Sequence, residues 1–376
     1  MAQKDKQTPV DSYLGEKIKS REGSFYMFLW PVFSVLLGLA ASGMMMLLLG
    51  HNPFLVFLKL FSFAFRDMYN VADIFAKAAP LILTGLAFGF AFRATLFNIG
   101  GQGQFYMGCV AAVFCALKLY FLPSFFLLLV CLSASMLAGG AWGAFVGYTK
   151  ARFNASEFLI SMMSTYVALA IMNYMLRGPL KEIKGEYPQT DVIAQNAWIP
   201  TLVPHTRLHW GFVLALGIAL VAYFVLWKTS LGFKIRAVGM NRNAARYAGI
   251  DEKRVFIVVF LISGAFAGLA GFMEVNGIQH MLVQGFNPMI GAEGIGIAIL
   301  GNAHPLGIVL SAILFGALKV GGNLVVQTST IPSSIIGIME GFVMLFVILS
   351  YFLQDKITTR RSKKELRSKE KGGVSR

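Results

Sequence analysis

Charge is what this chain of 376 residues has least of. Charged residues make up 14% of it, where a soluble domain carries about a quarter. That deficit excludes a soluble enzyme or a disordered tail. Cysteine is scarcer still, at three residues. Cys109, Cys115 and Cys131 lie in apolar runs with neither metal-ligand nor disulfide-framework spacing, and read as small buried hydrophobes. The five histidines are scattered, without an H-E-x-x-H pair, and no G-x-x-x-x-G-K-[ST] loop occurs. Such a chain has no ATP chemistry of its own, so work against a gradient would draw on another subunit. No convergent nucleophile and base stand out either, which argues against a membrane-embedded enzyme.

What the chain does have is apolar length. Hydrophobic residues are 56% of it and the mean hydropathy is +0.66. Of its 51 charged residues, 37 fall in the four blocks 1–22, 177–207, 228–254 and 354–376. A membrane-spanning helix needs about 20 apolar residues. Spans are expected near 28–49, 75–92, 104–122, 124–148, 158–176, 209–227, 255–275 and 331–352, with shorter ones near 290–301 and 305–322. The reading is an all-α polytopic membrane protein of about ten transmembrane helices, some short or broken, immersed in the lipid bilayer. The stretch 53–65 is too short to span and reads as an interfacial helix.

The net charge of +15 records orientation rather than a nucleic-acid partner. Lys4, Lys6, Lys17, Lys19 and Arg21 precede the first span. Lys228, Lys234, Arg236, Arg242, Arg246, Lys253 and Arg254 fill one loop, and nine basic residues lie between Lys356 and Arg376. The positive-inside rule makes all three cytoplasmic, and ten spans are consistent with that. The organisation expected is a cytoplasmic segment 1–27, a transmembrane domain 28–352 with the loop 228–254, and a basic cytoplasmic tail 353–376. The loop 177–208 is then external, and the first span, preceded by a long polar stretch, is uncleaved.

Glycine, 39 residues, recurs at spacing four in Gly139/Gly143/Gly147, Gly85/Gly89 and Gly264/Gly268, the pattern by which membrane helices approach closely. Other glycines interrupt helices. Residues 96–104, Leu-Phe-Asn-Ile-Gly-Gly-Gln-Gly-Gln, set Asn98, Gln102 and Gln104 among three glycines, and Gly301-Asn-Ala-His-Pro305 breaks a later run. Backbone that leaves the helix at membrane depth lines a cavity or is buried in protein. Of the acids in apolar surroundings, Glu157 and Glu274 read as near an interface, and Glu293 as an acid at a helix N-terminus. A relay of buried ionisable groups is not expected. A polar path through such a bundle would be lined by amides, hydroxyls and aromatic faces. Phe97, Asn98, Gln102, Gln104 and Tyr106 offer these, as do Ser161, Ser164 and Asn173, and Glu293 joins them as a candidate.

The segment 229–255 is the most distinctive. Asn243 is expected to cap a short helix through Tyr247 that Gly249 stops, with Ala245 and Gly249 on one face. Leu231-Gly-Phe-Lys-Ile-Arg-Ala-Val-Gly-Met-Asn241 followed by Ala244-Ala-Arg-Tyr-Ala-Gly-Ile250 resembles the coupling loop of bacterial ABC importer permeases that serve branched-chain amino acids, ribose-type sugars and nucleosides. Phe97–Gln104, Glu157–Met163, Gly291–Ala298 and Leu300–Gly307 resemble the same family, and Asn173–Lys181 its nucleoside-uptake members. Gln102 and Asn302-Ala-His304 depart from the nucleoside-type pattern.

The resemblance implies a non-catalytic subunit in a bacterial cytoplasmic membrane, moving nucleosides by alternating access, with ribose or another simple sugar as the alternative. It implies a cytoplasmic ABC ATPase that binds ATP and Mg, no cofactor in this chain, a second permease (a sister or itself), and an external substrate-binding lipoprotein. The ATPase would be met by Gly232, Arg236, Gly239, Asn241, Ala244, Ala245, Gly249 and Ile250. A proton- or sodium-coupled transporter working alone is the reading from another class, and would depend on Glu157, Glu274 or Glu293.

Overall fold

A computed structural model of the protein describes residues 23–183, 185, 187–287, 289–328, 332–351 and 353, with the helix but not the side chains given for 23–31. The N-terminal and C-terminal basic segments, 1–22 and 354–376, lie outside the described residues. Thirteen α-helices are present among the described residues. They are α1 (Gly23–Leu48), α2 (Pro53–Ala64), α3 (Met68–Phe92), α4 (Gly101–Lys118), α5 (Ser124–Phe153), α6 (Glu157–Arg177), α7 (Gly211–Lys228), α8 (Ser230–Met240), α9 (Arg242–Tyr247), α10 (Glu252–Glu274), α11 (Ile290–Leu300) and α12 (Pro305–Thr328), followed by α13 (Ser333–Tyr351). Seven of them, α3, α5, α6, α7, α10 with its extension, α12 and α13, are long and apolar enough to cross a membrane. With α1, α4 and the short α11 they coincide with the ten apolar segments read from the sequence. At 12 residues α2 is about 18 Å long, too short to cross.

The glycines at spacing four close the core. A Cβ added at Gly139 would collide with the carbonyl of Gly264, and one at Gly143 with that of Phe260. Gly264 and Gly268 in turn abut the carbonyls of Gly139 and Ser135, while Gly108 of α4 meets Gly268 from the other side. Helices α4, α5 and α10 thus touch backbone to backbone. With no apolar driving force between helices in lipid, this close approach supplies the attraction. Gly268→Leu is expected to destabilise the folded chain by at least ~1–3 kcal/mol, the usual range for overpacking, because both facing atoms are backbone and cannot rotate away. Thermal unfolding in detergent checks this, and an unchanged midpoint would refute it.

Helix α10 does not stop where α-helical hydrogen bonding does. It continues as a π-turn over Val275–Gln279, and the loop 178–210 is laced to it. Ile199 N donates to Asn276 O (2.9 Å), Ile193 N to His280 O (2.9 Å) and Thr190 N to Leu282 O (2.9 Å). Trp198 stacks on His280 at 3.9 Å. At the opposite end of the bundle lie Lys228, α8, α9 and the start of α10, together with the Lys150–Glu157 ion pair (2.9 Å) that ties α5 to α6. This end is the basic face.

Candidate functional site

Two helices begin inside the bundle. After α3 ends at Phe92 the chain does not turn straight into α4. Residues 94–100 climb back along α10, so that Asn98 meets Ser263, about 16 Å in from the basic-face end of that helix. Asn98 Nδ2 donates to Gln104 Oε1 (2.8 Å) and to Ser263 Oγ (2.6 Å), Gln104 Nε2 donates back to Asn98 Oδ1 (3.1 Å), and Ser263 Oγ donates to the carbonyl of Ala87. All three side chains are buried. The network supplies partners to irregular backbone where water cannot.

Helix α11 starts beside the first turn of α4. Gln102 Oε1 accepts from Gly291 N (2.6 Å) and its Nε2 donates to Asn287 O (2.8 Å). An added Cβ on Gly291 would press on the Gln102 backbone at 2.5 Å. With 11 residues, α11 is about 16 Å long. It runs from here to the basic face, where Asn302 and Ala303 turn the chain into α12 with φ of +53° and +47°.

Beyond the N-terminal end of α11 lies a cavity of about 240 Å³ lined by Lys77, Pro80 and Leu81 of α3, Glu274, Ile278 and Gln279 of α10 and its π-turn, Asn287, Ile290, Lys319 and Asn323 of α12, and Arg207 of the laced loop. Both of its lysines are in ion pairs. Lys319 Nζ lies 2.7 Å from Glu293, and Lys77 Nζ 3.6 Å from Asp73 one helical turn away. Asn287 Nδ2 donates to Glu274 Oε1 (2.6 Å). Glu274 and Glu340 both sit within the field of Lys319. Pro80, inside α3, removes one intrahelical bond at this level.

This vestibule corrects one sequence-based expectation. Buried ionisable groups do face one another here, because five helices bring together residues up to 267 positions apart, from Asp73 to Glu340. Glu274 is 5% exposed, at the far end of the α-helical part of α10, and the π-turn carries the helix on past it. Glu293 stands in the first turn of α11 as expected, and it also pairs with Lys319. Lys77, Asp73 and Lys319 were not singled out from the sequence. A lysine in an apolar run is their only local signal.

The other candidates lie elsewhere. Asn98, Gln102 and Gln104 have their amides engaged within the protein. Tyr106 is buried beside Phe105, which stacks on Phe286. Phe97 is 40% exposed and meets Phe88 and Phe92 edge-on. On α6, Ser161 and Ser164 donate to carbonyls of their own helix, while Asn173 Oδ1 is buried without a partner.

On the basic face, three caps divide 229–251. Thr229 accepts from Gly232 N (3.2 Å), Asn241 from Ala244 N (3.0 Å) and Asp251 from Lys253 N (3.0 Å), so α8 and α9 each start on a side-chain oxygen. The cap of α9 is Asn241, not Asn243. Gly249 ends it as expected, with φ +79° and its N–H on Arg246 O. Ala245 and Gly249 do not share an outward face: Ala245 is buried with Ile235 and Val238, and Gly249 is exposed. Gly232 is buried against the carbonyls of Val225 and Leu226, and Gly239 against that of Arg93. Arg236 and Ile250 are half-buried and Ala244 is exposed. The large exposed apolar side chains are Phe233, Met240 and Tyr247, the last 94% exposed. Apolar residues inside a basic loop were the signal for them.

A family model described as branched-chain amino acid transport system / permease component matches residues 70–348. Guanosine ABC transporter permease protein NupP of Bacillus subtilis is 36% identical over 86% of this chain and 94% of its own. Glucose ABC transporter permease protein TsgB13 of Haloferax volcanii is 33% identical over 86% and 88%, and nucleoside ABC transporter permease protein NupB of Lactococcus lactis is 28% identical over 91% and 96%. No solved structure matches the chain. With the family model covering most of its length and every apolar segment helical, the chain belongs to the branched-chain amino acid transport permease family, as a non-catalytic, multi-pass membrane subunit of an ABC transporter.

Proposed function

We propose that this chain is the membrane path of an ATP-driven importer for nucleosides in a bacterial cytoplasmic membrane. The observation that carries the reading is its likeness, over nearly the whole of both chains, to a guanosine permease. The vestibule is compatible with it. With both lysines held in ion pairs, the lining offers amide and carboxylate hydrogen bonds, the groups a polyhydroxyl or purine ligand requires. Glu274, Asn287 and Gln279 are the residues we assign to ligand contact, with the vestibule opening on the external side.

The basic face is cytoplasmic under the positive-inside rule. There, α8 and α9 dock a separate ATPase, which holds ATP and Mg, through Phe233, Met240 and Tyr247. An external binding lipoprotein delivers the substrate, and a second permease, sister or copy, completes the pair. ATP-driven closure of the ATPase favours one of two bundle arrangements over the other, which is alternating access.

Uptake of labelled guanosine into proteoliposomes holding the complete assembly tests the substrate. Saturable uptake, unaffected by excess glucose or ribose, is expected, and Asn287→Leu should raise KM about tenfold, the loss of one hydrogen bond. The 33% identity to a glucose permease favours a simple sugar as the second reading. Saturable glucose uptake that guanosine does not inhibit would establish that reading and overturn the first.

A further inference from the structure

Helix α11 is held at both ends by one stretch of chain. At its N-terminal end Gln102 bonds Gly291 N and Asn287 O. At the other end, Arg93 Nε donates to Ala303 O (2.9 Å) and Arg93 Nη2 to Asn302 O (2.9 Å). Nine positions separate the two clamping residues, and the segment between them is the irregular 94–100, pinned by Asn98. We infer that Arg93–Gln102 is the transmission element of this permease: a clamp through which movement of the coupling helices reaches α11 and the vestibule floor, with Arg93 and Gln102 as positioning residues. The inference rests on the proposal that α8 and α9 dock the ATPase.

Three observations place the root of the clamp beneath the coupling helices. Gly239, in the last turn of α8, lies flush on the Arg93 carbonyl, where any side chain would collide, and its missing Cβ would stand 3.2 Å from Ala94 Cα. Val238 and Ala245 share a buried cluster with Phe90, Ala91, Ala94 and Leu96. The Arg93 guanidinium sits 5.1 Å over the ring of Trp227, in the last turn of α7 just before α8. Close-packed groups of this kind cannot slide independently, so α8 carries 93–94 with it. The far end of the chain of contacts is equally direct. Ile290 floors the vestibule and Glu293, one turn on, holds Lys319.

The residue types fit the role. A planar guanidinium presents two N–H groups in fixed register, so one side chain grips two successive carbonyls, which a lysine cannot do. Those carbonyls belong to Asn302 and Ala303, both in the left-handed region. Ala303 gains nothing there by itself, and such backbone persists only where the surroundings hold it. A turn that depends on an external grip is suited to switching when the grip moves.

The test uses the full assembly of permease pair, ATPase and binding protein in nanodiscs. Arg93→Lys keeps the charge and removes the fork. The ATPase should still copurify and basal ATP hydrolysis should stay within twofold, while stimulation by substrate-loaded binding protein and substrate moved per ATP fall at least tenfold. Ala303→Gly, which folds because glycine adopts this φ freely, should lower substrate moved per ATP at least threefold without loss of ATPase. Unchanged stimulation and unchanged transport per ATP in both variants overturn the clamp. So does a loss of uptake that only tracks a lowered melting temperature. Failure of the docking proposal shows separately, as a Tyr247→Glu chain that retains its ATPase.

Discussion

Lys319→Met alone is expected to destabilise the folded permease by about 3–5 kcal/mol, the cost of leaving one half of a buried ion pair unpartnered. The reason lies in what surrounds the ammonium. Glu293 stands 2.7 Å away and is 4% exposed, and Glu274 and Glu340 share the same field. Without Lys319, the Glu293 carboxylate is left in a low-dielectric interior without its ion-pair partner, since Lys77 pairs with Asp73. The double substitution Lys319→Met with Glu293→Gln should recover most of the loss, because it removes charge as well as partner. Thermal unfolding of both variants, followed by size-exclusion chromatography in detergent, makes the comparison. Equal losses in the single and double variants would show that the side chains pack the vestibule wall and that their charges are incidental.

Tyr247→Glu should act at the other end of the molecule and in the opposite sense. At 94% exposed, Tyr247 touches almost nothing within the chain, so the melting temperature should not change. Exposed aromatics on a docking surface are the side chains whose loss costs an interface at least ~2 kcal/mol, about thirtyfold in affinity. Loss of the ATPase on copurification, with normal membrane insertion, is the expected result. Full retention would move the docking surface away from α9. Gly239 and Ala245 would be poorer tests, because both face inward and their substitution disturbs the fold before it reaches a partner.

How much of this could be read from residues alone follows from the range of each signal. Apolar length is local, so the ten segments near 28–49 through 331–352 stood out, and the glycines at spacing four marked α5 and α10 as helices that pack closely, without naming their partners. Capping is local too, yet Asn241 and Asn243 both suit the role. Only the burial of Val238 and Ala245 selects the first. The vestibule is non-local. Lys77, Glu274 and Lys319 are isolated charges in greasy sequence, and nothing short of the helix arrangement says that they meet. The burial of Glu274 was not visible because a π-turn has no sequence mark that tells it from a helix end. Gln102 and Asn98 were visible as amides among glycines, but their direction was not. They face other parts of the chain, where they hold the broken backbone in place.

The length of α5 has a consequence for the surroundings of the protein. Thirty residues make a rod of about 45 Å, whereas the hydrocarbon layer is about 30 Å thick. Its glycine face is fixed against α10, and most of its remaining surface is exposed. The excess length must therefore be absorbed by tilt or by a lysine- and arginine-bearing end standing clear of the lipid, where Lys150 and Arg152 lie. Because α5, α10 and α4 are locked backbone to backbone, a change in bilayer thickness would rotate that whole slab rather than one helix. Acyl-chain length in the host membrane thus becomes a mechanical input to this permease.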